Sequence, residues 1–355
     1  HKPTGKDKYL VEQAMPDHGV AVQLVLDALQ DKEHGVIESA DEITAIGHRV
    51  LHAGTIYSDA TLVTEDVKKV VRDCFDLGPL HNPANLIGIE ACEKAMPGVP
   101  MVAVFDTAFH QTMPPMAYMY ALPYAYYEKY KVRKYGFHGT SHYYVANRCA
   151  ALMNRPIEEL KIITLHLGNG SSITAVDKGK SVDTSMGFTP LAGLPMGTRS
   201  GQIDPAIIPF IMEKENLSIE DTNTMLNKKS GVYGISGLSS DFRDLEVAAE
   251  KGDEKSQLAL DMFEYSIKRY IGYYACAMDG VDALVFTAGV GENNIPLRER
   301  VLNSLGFMGI SCDAEKNNVR GKEVEITGAD SKVRSFVIPT NEELTIALDT
   351  ERLLG

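Results

Sequence analysis

The sequence predicts an α/β protein organised as two domains. At 355 residues the chain is long enough for two sizeable cores. Short apolar runs at 99–105 and 281–287 have the length of buried strands, and each stops abruptly at a polar or glycine-rich segment. In an open α/β sheet that carboxyl edge is where ligands bind.

Between those runs lies the stretch around which the chain is organised, residues 161–185. Ile162-Ile163-Thr164-Leu165-His166-Leu167 and Ser171-Ser172-Ile173-Thr174-Ala175-Val176 are β-rich, and Gly168-Asn169-Gly170 joins them. Glycine and asparagine take positive φ cheaply, so this reads as a tight hairpin. Such a tip also lets backbone N–H groups approach an anion, with Ser171 and Ser172 as hydroxyl donors. A second break at 177–180 leads into a third strand.

Composition narrows the partners. Hydrophobic residues make up 44% and charged residues 23%, the mix of a soluble globular protein. A net charge of −13 argues against nucleic acid or an anionic membrane as the main partner, while leaving room for nucleotides in local basic pockets. The five cysteines (74, 92, 149, 276, 312) contain no C-x-x-C, which points to neither a disulfide framework nor a zinc site; a reducing cytoplasm is the expected location. No apolar run approaches the ~18 residues of a membrane span, and no secretory leader pattern is visible. The opening from His1 onward reads as a polar loop, so the numbered chain is expected to begin inside a domain.

In order, residues 19–31 have the spacing of an amphipathic helix, and 43–47 read as a short strand delivering Arg49. Helices are expected over 64–75 and 84–95, the second after an Asn82-Pro83 turn. Asp106 follows the strand at 99–105, either as an orienting acceptor or metal-water ligand or as the cap of the next turn. Residues 116–134, rich in tyrosine and proline, read as an irregular connection. Thr140 is the expected N-cap of a helix over 141–153, which sets His138 just before a helix N-terminus, where anions are favoured. Residues 187–201 form a glycine- and proline-punctuated loop with Arg199 as its polar tip, and 236–244 form a second. Ala259, Phe263, Ile267, Ile271 and Tyr274 mark the core face of a long helix. The strand at 281–287 is followed by the loop 288–294 and a helix opening at Pro296; this is a nucleotide-binding order, but neither a dinucleotide fingerprint nor a P-loop. After a strand at 334–338, Thr340 and Glu343 fit a capping box for the terminal helix, leaving Glu342 for another task.

Two arginines, one poised histidine, two carboxylates and glycine-rich loops are what phosphoryl transfer needs: cations and N–H donors for spread negative charge, carboxylates for a divalent cation, little covalent work.

The residues Gly47-His48-Arg49-Val50-Leu51-His52-Ala53-Gly54, Phe105-Asp106-Thr107-Ala108-Phe109-His110, Tyr135-Gly136-Phe137-His138-Gly139-Thr140-Ser141-His142, His166-Leu167-Gly168-Asn169-Gly170, Met196-Gly197-Thr198-Arg199-Ser200-Gly201, Thr287-Ala288-Gly289-Val290-Gly291-Glu292-Asn293 and Pro339-Thr340-Asn341-Glu342-Glu343 resemble the acetate kinase family, in order and across essentially the whole chain. The resemblance implies an α/β fold of two ribonuclease-H-like (actin-like ATPase) domains around an active-site cleft: residues 1–107 with 343–355, and a nucleotide-binding domain over 108–342. It implies reversible, Mg²⁺- (or Mn²⁺-) dependent in-line transfer between ATP and acetate, giving ADP and acetyl phosphate, in a homodimer. By motif, Arg49 and Arg199 would hold the acetate carboxylate and the transferring group. His138 would stabilise its equatorial oxygens, Asp106 would position substrate or a metal-bound water, and Glu342 would belong to the Mg²⁺ site. Leu51, Leu80, Phe137 and Pro190 match the pocket for the acetate methyl, with His81 near it. His166, Leu167, Gly168, Asn169 and Gly170 would cradle ATP phosphates. Asp241, Phe242, Arg243, Gly289, Val290, Gly291, Glu292 and Asn293 would hold the adenosine.

Two departures stand out. The family has a second glycine where Ala53 stands, with little effect expected. It also opens with a strand carrying an Asn…Gly-Ser-Ser-Ser phosphate loop that does not precede His1, so the first domain is expected to be incomplete at its start. Rival readings are a propionate or butyrate kinase of the same family, and a non-catalytic actin-like nucleotide-binding protein, which would have no reason to keep Arg49, Arg199 and His138.

Overall fold

The computed structural model describes residues 1–355 apart from residues 2, 4, 6 and 80, so the expectation for Leu80 lies outside the described residues. The chain divides into two compact units, residues 1–108 with 343–355, and residues 109–342.

In the first unit, helix α1 (His18–Leu29) precedes a small sheet of β1 (Ile46–Val50), β2 (Thr61–Leu62) and β3 (Met101–Phe105), with α2 (Glu65–Asp73) and α3 (Asn82–Ala95) between them. Strand order is β1-β3-β2, with β1 parallel and β2 antiparallel to β3. β3 is buried along its whole length because both of its faces are covered. Met101, Ala103 and Phe105 pack with Val67, Val71, Leu86 and Ile89. Val102 and Val104 pack with Ile346 and Leu353 of the C-terminal helix (Glu342–Leu354). Gly47 permits that second contact, since a Cβ there would run into the side chains of Ile346 and Thr350.

Strand β1 begins three residues later than the sequence predicts. Ser39 caps a turn of 3-10 helix at Ala40–Glu42, and Ile43 N–H still bonds back to Ala40, so extended pairing starts only at Ile46. Arg49 therefore lies within the strand, opposite Val104, rather than beyond its end. Pro83 sits in the first turn of α3, where it needs no N–H partner, so the expected turn is the helix start itself.

In the second unit, the stretch read as an irregular connection forms two short helices, α4 (Pro115–Tyr118) and α5 (Tyr124–Tyr130), each entered through a proline. Then come α6 (Gly139–Met153), β4 (Lys161–Leu167), β5 (Ser171–Asp177) and β6 (Lys180–Thr184). Helices α7 (Ile207–Glu215), α8 (Ile219–Lys228), α9 (Gly231–Ser236), α10 (Phe242–Glu250) and α11 (Glu254–Ala277) follow. They lead to β7 (Ala283–Thr287), α12 (Ala288–Asn293), α13 (Ile295–Asn303), α14 (Ala314–Asn317), β8 (Val324–Glu325) and β9 (Arg334–Val337). The six-stranded sheet has the order β6-β5-β4-β7-β9-β8.

Alternation along β4 and β5 decides what each face does. Ile163, Leu165, Leu167, Ile173 and Ala175 join Phe263, Ile267, Ile271 and Tyr274 of α11 in one core. The expected stripe of α11 is thus core. On the other face Ile162 and Val176 pack with Val145, Ala146 and Cys149 of α6. Toward the hairpin that same face turns polar, and His166 stands opposite Ser172.

At the C-terminal helix, the expected capping box is absent. The helix begins at Glu342, so Thr340 lies one residue too early to cap it, and among the described residues its buried hydroxyl has no partner. Among the described residues no helix is long and apolar enough to cross a membrane.

Candidate active site

The hairpin at Gly168-Asn169-Gly170 forms as predicted, but by other means. None of the three residues lies in the left-handed region; positive φ falls at Lys178 and Gly179 of the next turn. The tip is closed instead by Ser171, whose hydroxyl donates to Gly168 O at 2.9 Å and accepts from Gly168 N–H at 3.2 Å. Ser171 is therefore a turn residue rather than a donor toward a ligand.

His138 itself, not Thr140, occupies the cap position of α6, at φ 55 and ψ 28. A non-glycine residue in the left-handed region is uncommon, and here it sets the His138 side chain at the start of α6. Thr140 lies inside the first turn, buried. The backbone leading there is pinned by Gly187 O, which accepts from Tyr135 N–H at 3.0 Å and from Gly136 N–H at 3.3 Å. Gly136 is at φ +75, and a Cβ on it would press on Thr184 and on the His110 ring.

Beneath His138 lies a buried set of histidines and hydroxyls. The His138 ring stacks on His166, centroids 4.0 Å apart. His138 Nδ1 meets Ser172 Oγ at 2.8 Å, and the same oxygen meets His142 Nε2 at 2.7 Å. His142 Nδ1 meets Thr164 Oγ1 at 2.7 Å, and His166 Nδ1 meets Ser141 Oγ at 2.8 Å. His110 bridges Ser181 Oγ (2.8 Å) and Phe137 O (2.9 Å). His142 is held well below the ordinary imidazole value, first by burial and then by the surrounding His110, His166 and His138, so it stays neutral.

Arg199 does not stand out as an exposed tip. Its Nη1 donates to Pro190 O at 3.1 Å, and burial lowers its pKa, although a guanidinium keeps its charge. Arg199 Nη1 and His138 Nε2 each lie 3.5 Å from the point where a Cβ on Gly170 would stand, so two donors converge on the bare side of the hairpin tip. Preorganised donors in a partly dry place are what a developing anionic charge needs.

On the other side of the tip, Gly168, Asn169, Asp241, Phe242, Arg243, Gly289, Val290 and Asn293 line one cavity of about 520 Å³. Asp241 caps α10, accepting from Arg243 N–H at 2.9 Å, and takes both guanidinium arms, Nε at 3.1 Å and Nη2 at 2.6 Å. These bonds hold the Asp241 carboxyl below its usual range. Phe242 is buried with its ring 4.6 Å from that of Phe263.

The glycine loop predicted at 288–294 is helix α12 over all but its last residue, entered through Ala288 at φ 64. The reason is Glu292, whose Oε1 accepts from Ala288 N–H at 2.8 Å and from Thr340 N–H at 3.3 Å, capping its own helix from within. Glu292 and the buried Gly291 support the cavity wall rather than line it. Leu167 points into the core, so only its backbone is available at the tip.

In the first unit, Arg49 Nη2 meets Asp106 Oδ2 at 3.1 Å. Asp106 is fully buried and its N–H donates to Val50 O at 2.9 Å, which ties the ends of β1 and β3 together. Leu51 is buried, and its N–H donates to Asn85 Oδ1 at 3.0 Å. His81 is exposed just before α3. In the second unit Phe137 is buried and Pro190 half-buried.

Sequence reasoning missed Ser240, Glu246, Asn294 and Arg320, which also line the cavity. Asn294 carries a readable signal, because it caps α13 by accepting from Leu297 N–H at 3.0 Å. Arg320, whose guanidinium donates to Asn293 O, comes from a turn with no distinctive pattern. The Ser172–His142–Thr164 chain was missed as well.

The family model of the acetokinase family matches residues 1–348. The acetate kinase of Acetivibrio thermocellus is 60% identical over 354 residues, covering 100% of this chain and 89% of the relative. The crystal structure of Porphyromonas gingivalis acetate kinase superposes with a TM-score of 0.95 at 49% identity, covering 99% of this chain and 88% of that one. A propionate kinase from Francisella tularensis follows at TM-score 0.88 and 42% identity, covering 94% and 84%. The fold is the two-domain α/β fold of the acetate and propionate kinases, and the chain belongs to the acetokinase family.

Proposed function

We infer that the chain is an acetate kinase, a phosphotransferase with a carboxyl group as acceptor, converting ATP and acetate reversibly to ADP and acetyl phosphate. The observation that carries this reading is the convergence of Arg199 and His138 beside Gly170, next to the cavity between Asn169 and Asp241. A non-catalytic nucleotide-binding protein would not need two donors there. The whole-length match to acetate kinases at 60% identity supports acetate over the larger acid of the 42%-identical propionate kinase.

The carboxylate oxygen of acetate attacks the γ-phosphorus in line, and the bond to the bridging oxygen of ADP breaks, its electron pair leaving with ADP. His138 Nε2 and Arg199 donate to the oxygens of the transferring group, where charge builds. The likeness to acetate kinases supports Arg49, held by Asp106, as the residue for the acetate carboxylate, and Leu51, Leu80, Phe137 and Pro190, with His81, as the residues for its methyl group. Gly168, Asn169 and Gly170, with His166 and Leu167, hold the ATP phosphates. Asp241, Phe242, Arg243, Gly289 and Val290 hold the adenosine, with Gly291, Glu292 and Asn293 behind them. The unit at 109–342 is thus the nucleotide-binding domain.

Glu342 offers hard carboxylate oxygens, a chemistry that fits Mg²⁺ or Mn²⁺ held by few protein ligands together with phosphate. Glu342 would hold the ion, which when bound neutralises phosphate charge. A cytoplasmic homodimer completes the proposal.

The test is ADP release and acetyl phosphate formation from Mg-ATP with and without acetate, with Arg199→Ala alongside. Acetate-dependent product in the native chain, nearly abolished in a well-folded variant, is expected. Product formation that ignores acetate, or a fully active Arg199→Ala, would overturn the reading.

A further inference from the structure

Each hydroxyl in the buried cluster has one proton to give, and counting those protons fixes the state of the rings. Thr164 Oγ1 is fully buried and its hydrogen-bond partner is His142 Nδ1. If His142 donated there, the Thr164 proton would be buried with no acceptor among the described residues, at a cost of about 1–3 kcal/mol. Thr164 therefore donates, and neutral His142 carries its proton on Nε2. That proton points at Ser172 Oγ, 2.7 Å away. Ser172, also fully buried, then has its own proton left for His138 Nδ1 at 2.8 Å. With Nδ1 accepting, the His138 ring proton sits on Nε2, the ring nitrogen 3.5 Å from the Cβ point of Gly170. Ser141 is buried beside His166 Nδ1 in the same relation, and Ser181 beside His110 Nδ1, whose Nε2 donates to Phe137 O.

We propose that Ser172, backed by His142 and Thr164, is a positioning residue that keeps the His138 proton on Nε2, aimed at the transferring phosphoryl group. The chain of three residues acts at a distance from substrate: it sets which nitrogen donates and which way the ring faces. In water the two tautomers of a free imidazole interconvert readily, and the wrong one would turn a lone pair toward phosphate oxygens. Stacking on His166 limits ring rotation, and Ser172 supplies the polarity that stacking cannot.

The kinetic part rests on the acetate kinase reading, whereas the tautomer does not. The experiment uses the full chain labelled with ¹⁵N-histidine, without substrate, and reads the ring nitrogens of His138 by long-range proton–nitrogen correlation. Assignment comes from the signal lost in His138→Gln. The expected result is a protonated Nε2 and an acceptor Nδ1, changing to a tautomer mixture in Ser172→Ala. Thr164→Val keeps the packing volume and removes only the first donor, and it is expected to disturb the His138 signals in the same sense. In both variants kcat for acetyl phosphate formation falls at least about tenfold, part of the ~10²-fold lost with a whole transition-state donor, while KM for ATP and acetate changes less than twofold. A native enzyme with His138 protonated on Nδ1, or variants with altered kcat and an unmoved tautomer, would overturn the proposal. A native chain with the Nε2 proton and no acetate-dependent product would instead overturn the functional reading alone.

Discussion

Gly197 lies so close to Asn169 that a methyl group on its Cα would occupy the place of the Asn169 side-chain oxygen. The backbone also joins them, Gly197 N–H donating to Asn169 O at 3.0 Å. Asn169 lines the cavity proposed for the nucleotide, so the loop carrying Arg199 decides where that amide can stand. In Gly197→Ala the flexible amide moves aside, and KM for ATP rises about 2- to 10-fold, the worth of one hydrogen bond of ~0.5–1.5 kcal/mol. Calorimetry checks that Tm stays near the native value; an unchanged KM would refute the coupling.

Gly170 makes the complementary case. Its Cβ point is in ordinary contact with Arg199 and His138, at 3.5 Å, and its φ is not left-handed. Gly170→Ala should therefore fold normally and still place a methyl between both donors and the substrate. A displacement of about 1 Å at such a point costs roughly 10²-fold in kcat, read against an unchanged melting curve.

His48 carries a pH signature. It lies on β1 with Nε2 3.3 Å from Met101 Sδ, and burial pushes its pKa from 6.5 down to about 4. The folded chain holds the neutral ring, while the unfolded chain takes up a proton near 6.5. Its contribution to stability is thus full above 6.5 and is lost as pH falls toward about 4. Urea midpoints between pH 7.5 and pH 5 should fall less steeply in His48→Gln than in the native chain. Parallel curves would remove His48 as the cause.

Substrate choice follows from one methylene. With the bulky Leu51 proposed for the acetate methyl, acetate should exceed propionate in kcat/KM by about 10-fold or more, within the ~1–3 kcal/mol that a methylene confers. Side-by-side assays giving the reverse order would move the chain to the propionate kinases.

What could be read from the sequence follows physical lines. Strands β4, β5 and β7 and helix α11 are long apolar patterns whose burial needs no partner to be recognised. Strand β1 was misplaced because a capped turn at 39–43 consumed residues with strand character. Residues 288–293 hid a helix because the stabilising cap, Glu292, is inside it. His138 was legible from its flanking glycines. Ser172 was read as a hydroxyl donor toward an anion and His142 was given no role, because their meeting depends on α6 crossing β4 and β5 at one rotation. Arg320 reaches the cavity from a turn that only the folded chain brings there.

The order of strands has a consequence for biogenesis. The hairpin β4–β5 closes locally, but the other edge of β4 waits for β7, and Ala283 emerges 121 residues after its partner Ile162. At ~5–20 residues per second that edge stays open for about 6–24 seconds of synthesis, a bare row of backbone donors and acceptors flanked by Ile162 and Ile163. Until β7 arrives, that open edge is a template on which another extended chain can pair.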